Sequence, residues 1–225
     1  VAVKEGRTVY ENIKKNILFI LPTDGGEALI IIAAILFGWT LPITPVQILW
    51  VNTITAVTLG LALAFEPPEP DIMKRPPRKL DAPIFSKLLI WRILFVSILM
   101  MLGGFGLFIW ALETHESLEL ARTITVNALV MGEVAYLFNT RKIYGHALSI
   151  KSFFSSKPVL ISITIVVIFQ SLFCYLPWMQ NIFGTAPLNL THWGYILLFG
   201  LTMFLLVELE KFFIRTFLIQ FAILK

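Results

Sequence analysis

Three acidic residues stand inside long apolar stretches of the sequence, where ionisable side chains are rare. Asp24 and Glu27 interrupt the first stretch, and Glu133 lies near the middle of the fourth. Moving a charged side chain from water into hydrocarbon costs several kcal/mol, so each of these residues is expected to have a function. Asp24 and Glu27 are three positions apart, which places both carboxylates on one face of a helix.

Two neutral polar residues in the second apolar stretch add oxygen donors at the same spacing. Asn52 and Thr55 are also three positions apart and share a helix face. No Lys or Arg occurs at the depth of the three acids, so a mobile cation is their expected partner. Oxygen ligands suit calcium, magnesium, sodium or protons, and the set contains no Cys or His for copper or zinc. We therefore predict one ion site, with no catalytic or cofactor-binding residue in the chain, formed by Asp24, Glu27, Asn52, Thr55 and Glu133.

Helix packing is the competing explanation of these residues. Thr hydroxyls bond carbonyls of their own helix, and Asn side chains link neighbouring helices. A protonated Glu133 that bonds a neighbouring group would also be stable. Packing explains Asp24 and Glu27 less well, because these two acids share one helix face without a basic partner.

Proline and glycine beside the first two acids predict an irregular helix. Pro22 lacks the N–H that would bond the Leu18 carbonyl, and Gly25 and Gly26 loosen the following turn. We expect a kink at this point, with freed carbonyls available as additional ligands.

The bulk composition predicts a membrane protein. The chain has 225 residues, of which 57% are hydrophobic and 14% charged, which is too apolar for a soluble domain. Six stretches approach the roughly 20 residues that a membrane-spanning helix needs. We predict an all-α, polytopic transmembrane helix bundle that forms a single transport domain, residues 1–225. The predicted spans cover residues 16–39, 45–65, 88–110, 121–138, 158–176 and 193–213.

The distribution of charge predicts how the bundle is oriented. With the amino terminus in the cytoplasm, every Lys and Arg except Arg122 falls on the cytoplasmic side, as the positive-inside rule requires. Both termini are then cytoplasmic, and membrane lipid surrounds the bundle. The basic residues form no solvated stripe with interleaved aromatics, which argues against a nucleic-acid partner. Cys174 stands alone, so no CxxC site exists. The start at Val1, without an initiator Met or a signal peptide, is expected to lie within a longer polypeptide.

The remaining polar and glycine positions favour structural roles. Three histidines are expected in solvated loops: His115, His146 and His192. Two acids near the end of the last span are expected to form an interfacial ion pair with a neighbouring lysine: Glu208 and Glu210 with Lys211. Three glycines of the third span are expected at close helix contacts: Gly103, Gly104 and Gly106.

Several longer strings resemble the calcium-pump branch of the P-type ATPases. The resemblance covers essentially the whole chain, in order, as the fifth to tenth membrane helices of that family. The strings that carry it are Glu5-Gly6-Arg7 with Tyr10, Gly26-Glu27, Pro45-Val46-Gln47-Ile48-Leu49-Trp50-Val51-Asn52, and Pro67-Pro68 through Asp71-Ile72-Met73 to Arg75-Pro76-Pro77-Arg78.

The resemblance implies the same five ligands and one departure from the family pattern. Asp24 stands where the sarcoplasmic reticulum calcium pump has an asparagine ligand, and Ala56 replaces the aspartate that bridges its two calcium sites. Calcium takes about six to eight oxygen ligands, which three carboxylates, one amide and one hydroxyl can supply for one ion. We therefore expect one ion per cycle, with at least one carboxylate exchanging protons, because crowded like charges favour protonation. Four residues match ligands of identical type in that pump: Glu27, Asn52, Thr55 and Glu133.

The resemblance also implies an ATP-driven pump that exports a cation from the cytoplasm. Calcium with proton counter-transport is favoured over export of sodium or protons by the same type of pump. A secondary transporter or a channel would also bury acids, and a structural membrane anchor remains a third possibility. ATP and magnesium would bind upstream domains of the same polypeptide, since no Asp-Lys-Thr-Gly phosphorylation motif occurs in these residues. The family's fourth helix, also upstream, would add ligands, and the expected location is the plasma membrane.

Overall fold

The computed structural model of the protein describes residues 2–68, 72–73, 87–141 and 156–223. This part of the chain is helical apart from its connecting turns and contains no strand, which confirms the predicted all-α class for these residues. In chain order the helices are α1 (Ala2–Leu36), α2 (Pro45–Thr55), a π-helical turn (Ala56–Gly60), α3 (Leu61–Ala64), α4 (Lys87–Glu113), α5 (Leu118–Arg141), α6 (Lys157–Tyr175), α7 (Pro177–Phe183) and α8 (Leu190–Ile223).

Four helical segments among the described residues are long and apolar enough to cross a membrane. The second of them joins α2, the π-helical turn and α3 into one segment of 20 residues. The first begins at Ala2, well before the predicted start of the span at residue 16. The four segments are Ala2–Leu36, Pro45–Ala64, Lys87–Glu113 and Lys157–Tyr175.

Helix α5 lies at the centre of the bundle. It packs against α1, α2, α4, α6 and α8, and most of its side chains are buried. This position explains why α5 carries polar residues along much of its length: Thr123, Thr125, Asn127 and Glu133 are all buried among the surrounding helices. A helix that faces other helices on every side does not need the apolar surface that a lipid-facing helix needs.

The turn between α1 and α2 is fixed by signals at both helix ends. Gly38 has a left-handed backbone, with φ of 65°, and the Trp39 N–H donates to the Ala34 carbonyl at 2.8 Å, which closes the end of α1. Thr44 begins α2 with a capping box, in which its side chain and that of Gln47 each accept a bond from the other residue's backbone N–H. The two helices are therefore joined through a short connection with defined ends.

Two of the three glycines predicted at helix contacts occupy such contacts. A Cβ atom on Gly103 would overlap the ring of Phe199, and one on Gly104 would lie 2.9 Å from Ile30 and 3.2 Å from Leu129. The prediction is wrong for Gly106, because a Cβ atom there would meet nothing within 4 Å.

The second membrane segment is less regular than the sequence predicts. Directly after Thr55 the chain makes the π-helical turn, and the Leu61 N–H then bonds the Thr58 carbonyl, three residues back. The hydroxyls of Thr53, Thr55 and Thr58 each donate to the carbonyl four residues earlier in their helix. Such bonds compete with the helix ladder, and π-helical turns often occur at functional sites.

The prediction for the histidines is wrong for His192. This residue lies in the first turn of α8, is 3% exposed, and places its Nε2 3.3 Å from Glu116 Oε1. Its backbone N–H donates to the Asn189 side chain, and this cap begins the helix earlier than predicted. The predicted loop also contains the short helix α7. His115 is exposed in the turn between α4 and α5, and His146 lies outside the described residues.

The acids near the carboxy-terminal end of the bundle form two separate buried ion pairs. Glu208 bonds Lys211 at 2.6 Å, as predicted. Glu210 instead pairs with Arg92 of α4 at 2.8 Å, so the prediction of one shared pair beside Lys211 is wrong for this residue. Glu210 is 118 positions away from Arg92, and only the packing of the helices brings them together. All four side chains are buried, so these pairs lie inside the bundle and not at its surface.

Candidate functional site

Glu27 of α1 is buried and faces α2. Its side chain is 3% exposed, and its Oε2 accepts a hydrogen bond of 3.0 Å from the Asn52 amide. Its other oxygen, Oε1, is buried and accepts no hydrogen bond from the described residues. Asn52 therefore engages one carboxylate oxygen of Glu27, and the other oxygen, Oε1, has no hydrogen-bond donor among the described residues.

Glu133 of α5 lies on the other side of the same region. Its side chain is 1% exposed, and the Thr55 side chain lies within hydrogen-bond reach of its carboxyl group. Oε2 of Glu133 is buried and accepts no hydrogen bond within the described part of the chain. Glu27 acts electrostatically on Glu133, and among the described residues no Lys or Arg acts on either carboxyl.

Asp24 occupies a different environment from the other two acids. It is exposed, although it lies near enough to act electrostatically on both Glu27 and Glu133. Ala56, at the position where the resemblance implies a lost carboxylate, is exposed as well. The structure thus places Glu27, Asn52, Thr55 and Glu133 around one buried region, with Asp24 at its open side.

The expectation that the backbone near Pro22 supplies ligands is wrong for the carbonyl that Pro22 frees. The Leu18 carbonyl accepts a bond of 2.9 Å from the Tyr136 hydroxyl. The Pro22 carbonyl accepts a bond of 2.9 Å from the Ser97 hydroxyl. Both carbonyls are therefore engaged by side chains of α5 and α4, because an unpaired carbonyl inside an apolar bundle would be unfavourable.

The pair of glycines beside the acids serves helix packing. A Cβ atom on Gly26 would lie 2.5 Å from Cβ of Met100, and one on Gly25 would overlap the Ser97 hydroxyl. These two positions let α4 approach α1 closely directly beside Glu27. The sequence predicted that these glycines loosen the helix, whereas their role seen in the structure is close packing against α4.

The donors of this region are all oxygen atoms or amide groups, as hard cations require. No group of three or more His, Cys, Asp or Glu side chains among the described residues is arranged to hold a metal ion. The two buried carboxyls can therefore hold an ion only together with neutral oxygens, with Asp24, or with groups outside the described residues.

Comparison with known protein families identifies the region. The family "Cation transporting ATPase, C-terminus" matches residues 40–213 of the chain. The chain belongs to this family. It is the carboxy-terminal membrane region of a P-type cation-transporting ATPase, as the resemblance in the sequence implied.

Curated relatives of this ATPase region include several bacterial cation-transporting ATPases. "Probable cation-transporting ATPase F" of Mycobacterium tuberculosis is 43% identical over 192 residues, which cover 85% of this chain and 21% of the relative. "Cation-transporting ATPase pma1" of Synechocystis is 38% identical over 202 residues, covering 88% of this chain and 22% of the relative. "Calcium-transporting ATPase 1" of Bacillus cereus is 34% identical over 225 residues, covering 93% of this chain and 25% of the relative. The chain thus spans about a quarter or less of the length of these relatives.

Sequence reasoning missed two residues of this ATPase region that bond α1 on either side of the Pro22 turn. Tyr136 and Ser97 are buried, and each bonds a carbonyl of α1. The signal for Tyr136 was its place one turn from Glu133 within an apolar stretch. Its partner was not predictable, because Leu18 is 118 positions away in the sequence.

Proposed function

We propose that this chain is the ion-binding part of an ATP-driven pump that exports calcium from the cytoplasm. One observation carries the proposal. Glu27 Oε1 and Glu133 Oε2 are buried on neighbouring helices, within electrostatic range of each other, and accept no hydrogen bond from the described residues. Two buried acids without a basic partner are unfavourable unless protons or a cation neutralise them.

The ligand set that we propose is Asp24, Glu27, Asn52, Thr55 and Glu133. The Asn52 amide bonds Glu27, and the Thr55 side chain lies near Glu133; in the proposed site the side-chain oxygens of both residues would face the shared ion. Asp24 is exposed, and another part of the longer polypeptide would cover it in the complete pump. A calcium ion would then find the oxygen donors that it prefers.

Calcium is supported by relatives and by the donor chemistry. The relatives from Bacillus cereus and Bacillus subtilis, each 34% identical, are named calcium-transporting ATPases. Because Ala56 contributes no carboxylate, we propose one calcium ion per cycle. The carboxyls would bind protons when the ion leaves, which gives proton counter-transport in the opposite direction.

The arrangement in the cell follows from the same proposal. We propose six spans in the plasma membrane, with both termini in the cytoplasm and lipid around the bundle. α5 and α8 would be the two spans beyond the four segments described above. ATP and magnesium would bind other domains of the same polypeptide, and no nucleic acid would take part.

The test uses the full-length protein in native membrane vesicles. ATP-dependent calcium uptake and calcium-stimulated ATP hydrolysis are measured for the wild type, Glu27→Gln and Glu133→Gln. Glu119→Gln is the matched control, because Glu119 is an exposed acid on the same helix as Glu133. We expect both Gln variants in the bundle to lose calcium stimulation while the control retains it. Unchanged uptake in both would contradict the ion site and leave a structural role for these residues.

Sodium or proton export is the second candidate function, and Ala56 favours it. The missing carboxylate lowers the negative charge that a divalent ion needs, and a single-charge ion would be satisfied by fewer acids. The same vesicles distinguish the two functions when ATP hydrolysis is measured with sodium in place of calcium, and again with both ions absent. Activation by sodium alone, lost in Glu27→Gln, would replace calcium as the transported ion.

A further inference from the structure

A proline within α1 leaves one backbone carbonyl without its usual donor. Pro22 has no N–H, so the Leu18 carbonyl cannot receive the bond that normally closes this turn of the helix. In a membrane bundle such a carbonyl needs another donor from inside the protein. The neighbouring Thr23 does not supply it, since its hydroxyl bonds the carbonyls of Phe19 and Ile20.

Tyr136 of α5 provides the missing donor. Its hydroxyl donates to the Leu18 carbonyl at 2.9 Å, and its side chain is fully buried. The ring also stacks on Phe19, with centroids 6.4 Å apart and an interplanar angle of 17°. Tyr136 thus holds α1 through both a specific hydrogen bond and an aromatic contact.

This contact lies on the same two helices that carry the buried acids Glu27 and Glu133. Tyr136 is three residues after Glu133, which is about 4.5 Å farther along the α5 axis. On α1, the bonded carbonyl belongs to Leu18, and Glu27 follows about two and a half turns later on the same helix. Any change in the height or rotation of α1 against α5 at this bond would therefore change how the Glu27 and Glu133 carboxyls face each other.

A second bond restrains the same turn from α4. The Ser97 hydroxyl donates to the Pro22 carbonyl at 2.9 Å, so α4 and α5 each bond one carbonyl of the turn that contains Pro22. α4 is also held close by Gly25 and Gly26, where added side-chain atoms would overlap Ser97 and Met100. The Tyr136 bond is thus a direct hydrogen bond from α5 to α1 next to this turn.

We propose that Tyr136 is a positioning residue for cation binding. By donating to the Leu18 carbonyl that Pro22 leaves open, its hydroxyl fixes the register between the helices of Glu27 and Glu133. It does not touch the ion. This inference rests on the proposed ion site, and it predicts that loss of the hydroxyl weakens cation binding without slowing the saturated pump.

The first experiment compares Tyr136→Phe with the wild type in the full-length pump. The variant keeps the ring beside Phe19 and removes only the hydroxyl. We expect the calcium concentration for half-maximal ATPase activation to rise by about fivefold to tenfold, as for the loss of one buried hydrogen bond. The maximal rate and the amount of folded protein in the membrane should stay at the wild-type level.

Tyr175→Phe is the matched control. Its hydroxyl also donates to a backbone carbonyl, that of Leu188, at 2.9 Å, but at the end of α6, away from α1. The control should leave the half-maximal calcium concentration unchanged. An equal shift in both variants would show a general effect of lost hydrogen bonds and would overturn the positioning role.

A second experiment restores the missing donor by another route. In Pro22→Ala the residue at position 22 has an N–H that can bond the Leu18 carbonyl, so this carbonyl no longer needs the Tyr136 hydroxyl as its donor. We expect Tyr136→Phe to shift calcium activation much less in this background than in the wild type, as coupled residues do in a double-mutant cycle. Equal shifts in both backgrounds would contradict the inference.

The variants also separate this inference from the proposed function. If Glu27→Gln abolishes calcium activation while Tyr136→Phe leaves it unchanged, the ion site stands and the positioning role fails. If Glu27→Gln has no effect, the proposed ion site itself fails. A fall in maximal rate or in folded protein alone in Tyr136→Phe would show a merely structural residue.

Discussion

Asn52 donates its side-chain amide to Oε2 of Glu27 at 3.0 Å and so joins the second membrane segment to the first inside the bundle. The bond leaves Oε1 of Glu27 buried and without a hydrogen-bond donor from the described residues. One oxygen of the carboxylate is therefore held in position while the other is left for a ligand. In the proposed ion site, this arrangement would orient the Glu27 carboxylate before an ion binds and so lower the free-energy cost of ordering it on binding.

Replacing Asn52 by alanine should weaken cation binding. The change removes the donor that orients Glu27 and one oxygen of the proposed ligand set, so we expect the calcium concentration for half-maximal ATPase activation to rise about tenfold or more. Thr53→Ala is the control, because Thr53 is exposed and its hydroxyl bonds the Leu49 carbonyl of its own helix. An Asn52→Ala pump with wild-type calcium activation would show that the bond serves packing alone.

Replacing Ala56 by aspartate should increase the number of ions carried. Ala56 is exposed next to Thr55, and a carboxylate there would add oxygen ligands to the proposed site. More carboxylates strengthen calcium sites by charge and by ligand number. We expect the ratio of calcium transported to ATP hydrolysed to rise from one toward two. The ratio is measured in sealed vesicles from paired uptake and phosphate-release assays, and a wild-type ratio of two would contradict the single-ion proposal.

Much of the helical architecture was predictable because short stretches of the sequence determine it. Apolar stretches of spanning length and the Thr44 capping box with Gln47 each arise from residues close together in the chain. The three acids of the proposed site could be singled out for a similar reason, since a carboxylate within an apolar stretch is unusual at the level of sequence alone. Their convergence was a hypothesis, and Asp24 proved more exposed than its neighbour Glu27.

The features that sequence reasoning missed depend on contacts between distant residues. From the sequence, the Leu18 carbonyl was expected to be free as a ligand, but the structure shows that it accepts a hydrogen bond from Tyr136. Glu210 was expected to pair with Lys211, but the packing of the helices brings it against Arg92. Nothing local in the sequence distinguishes a glycine that faces a neighbouring helix, such as Gly104, from one that faces open space. Such choices are made by the packing of the helices, which single-sequence patterns do not specify.

Gly26→Ala should destabilise the bundle. Its Cβ atom would lie 2.5 Å from Cβ of Met100, so α4 must move away from α1. Overpacking of this kind costs about 1–3 kcal/mol. Gly106→Ala is the control, because no atom lies within 4 Å of the added carbon. Thermal unfolding in detergent, followed by size-exclusion chromatography, should show a lower midpoint for Gly26→Ala only. Equal midpoints would contradict the close contact between α1 and α4.

Replacing Arg92 by methionine should destabilise the bundle more strongly. Arg92 pairs with Glu210 at 2.8 Å, both side chains are buried, and Oε1 of Glu210 accepts no hydrogen bond within the described part of the chain. Removal of the arginine leaves a buried acid without its cation, which costs about 3–5 kcal/mol.

The double variant Arg92→Met with Glu210→Leu removes the isolated charge, and we expect it to recover most of the lost stability, since apolar replacements of buried ion pairs are often neutral. Thermal unfolding midpoints of the two variants, measured in the same detergent, test whether removing the isolated charge restores stability. If the double variant is no more stable than Arg92→Met, the pair does not act as a unit, and the destabilisation comes from the packing of the Arg92 side chain.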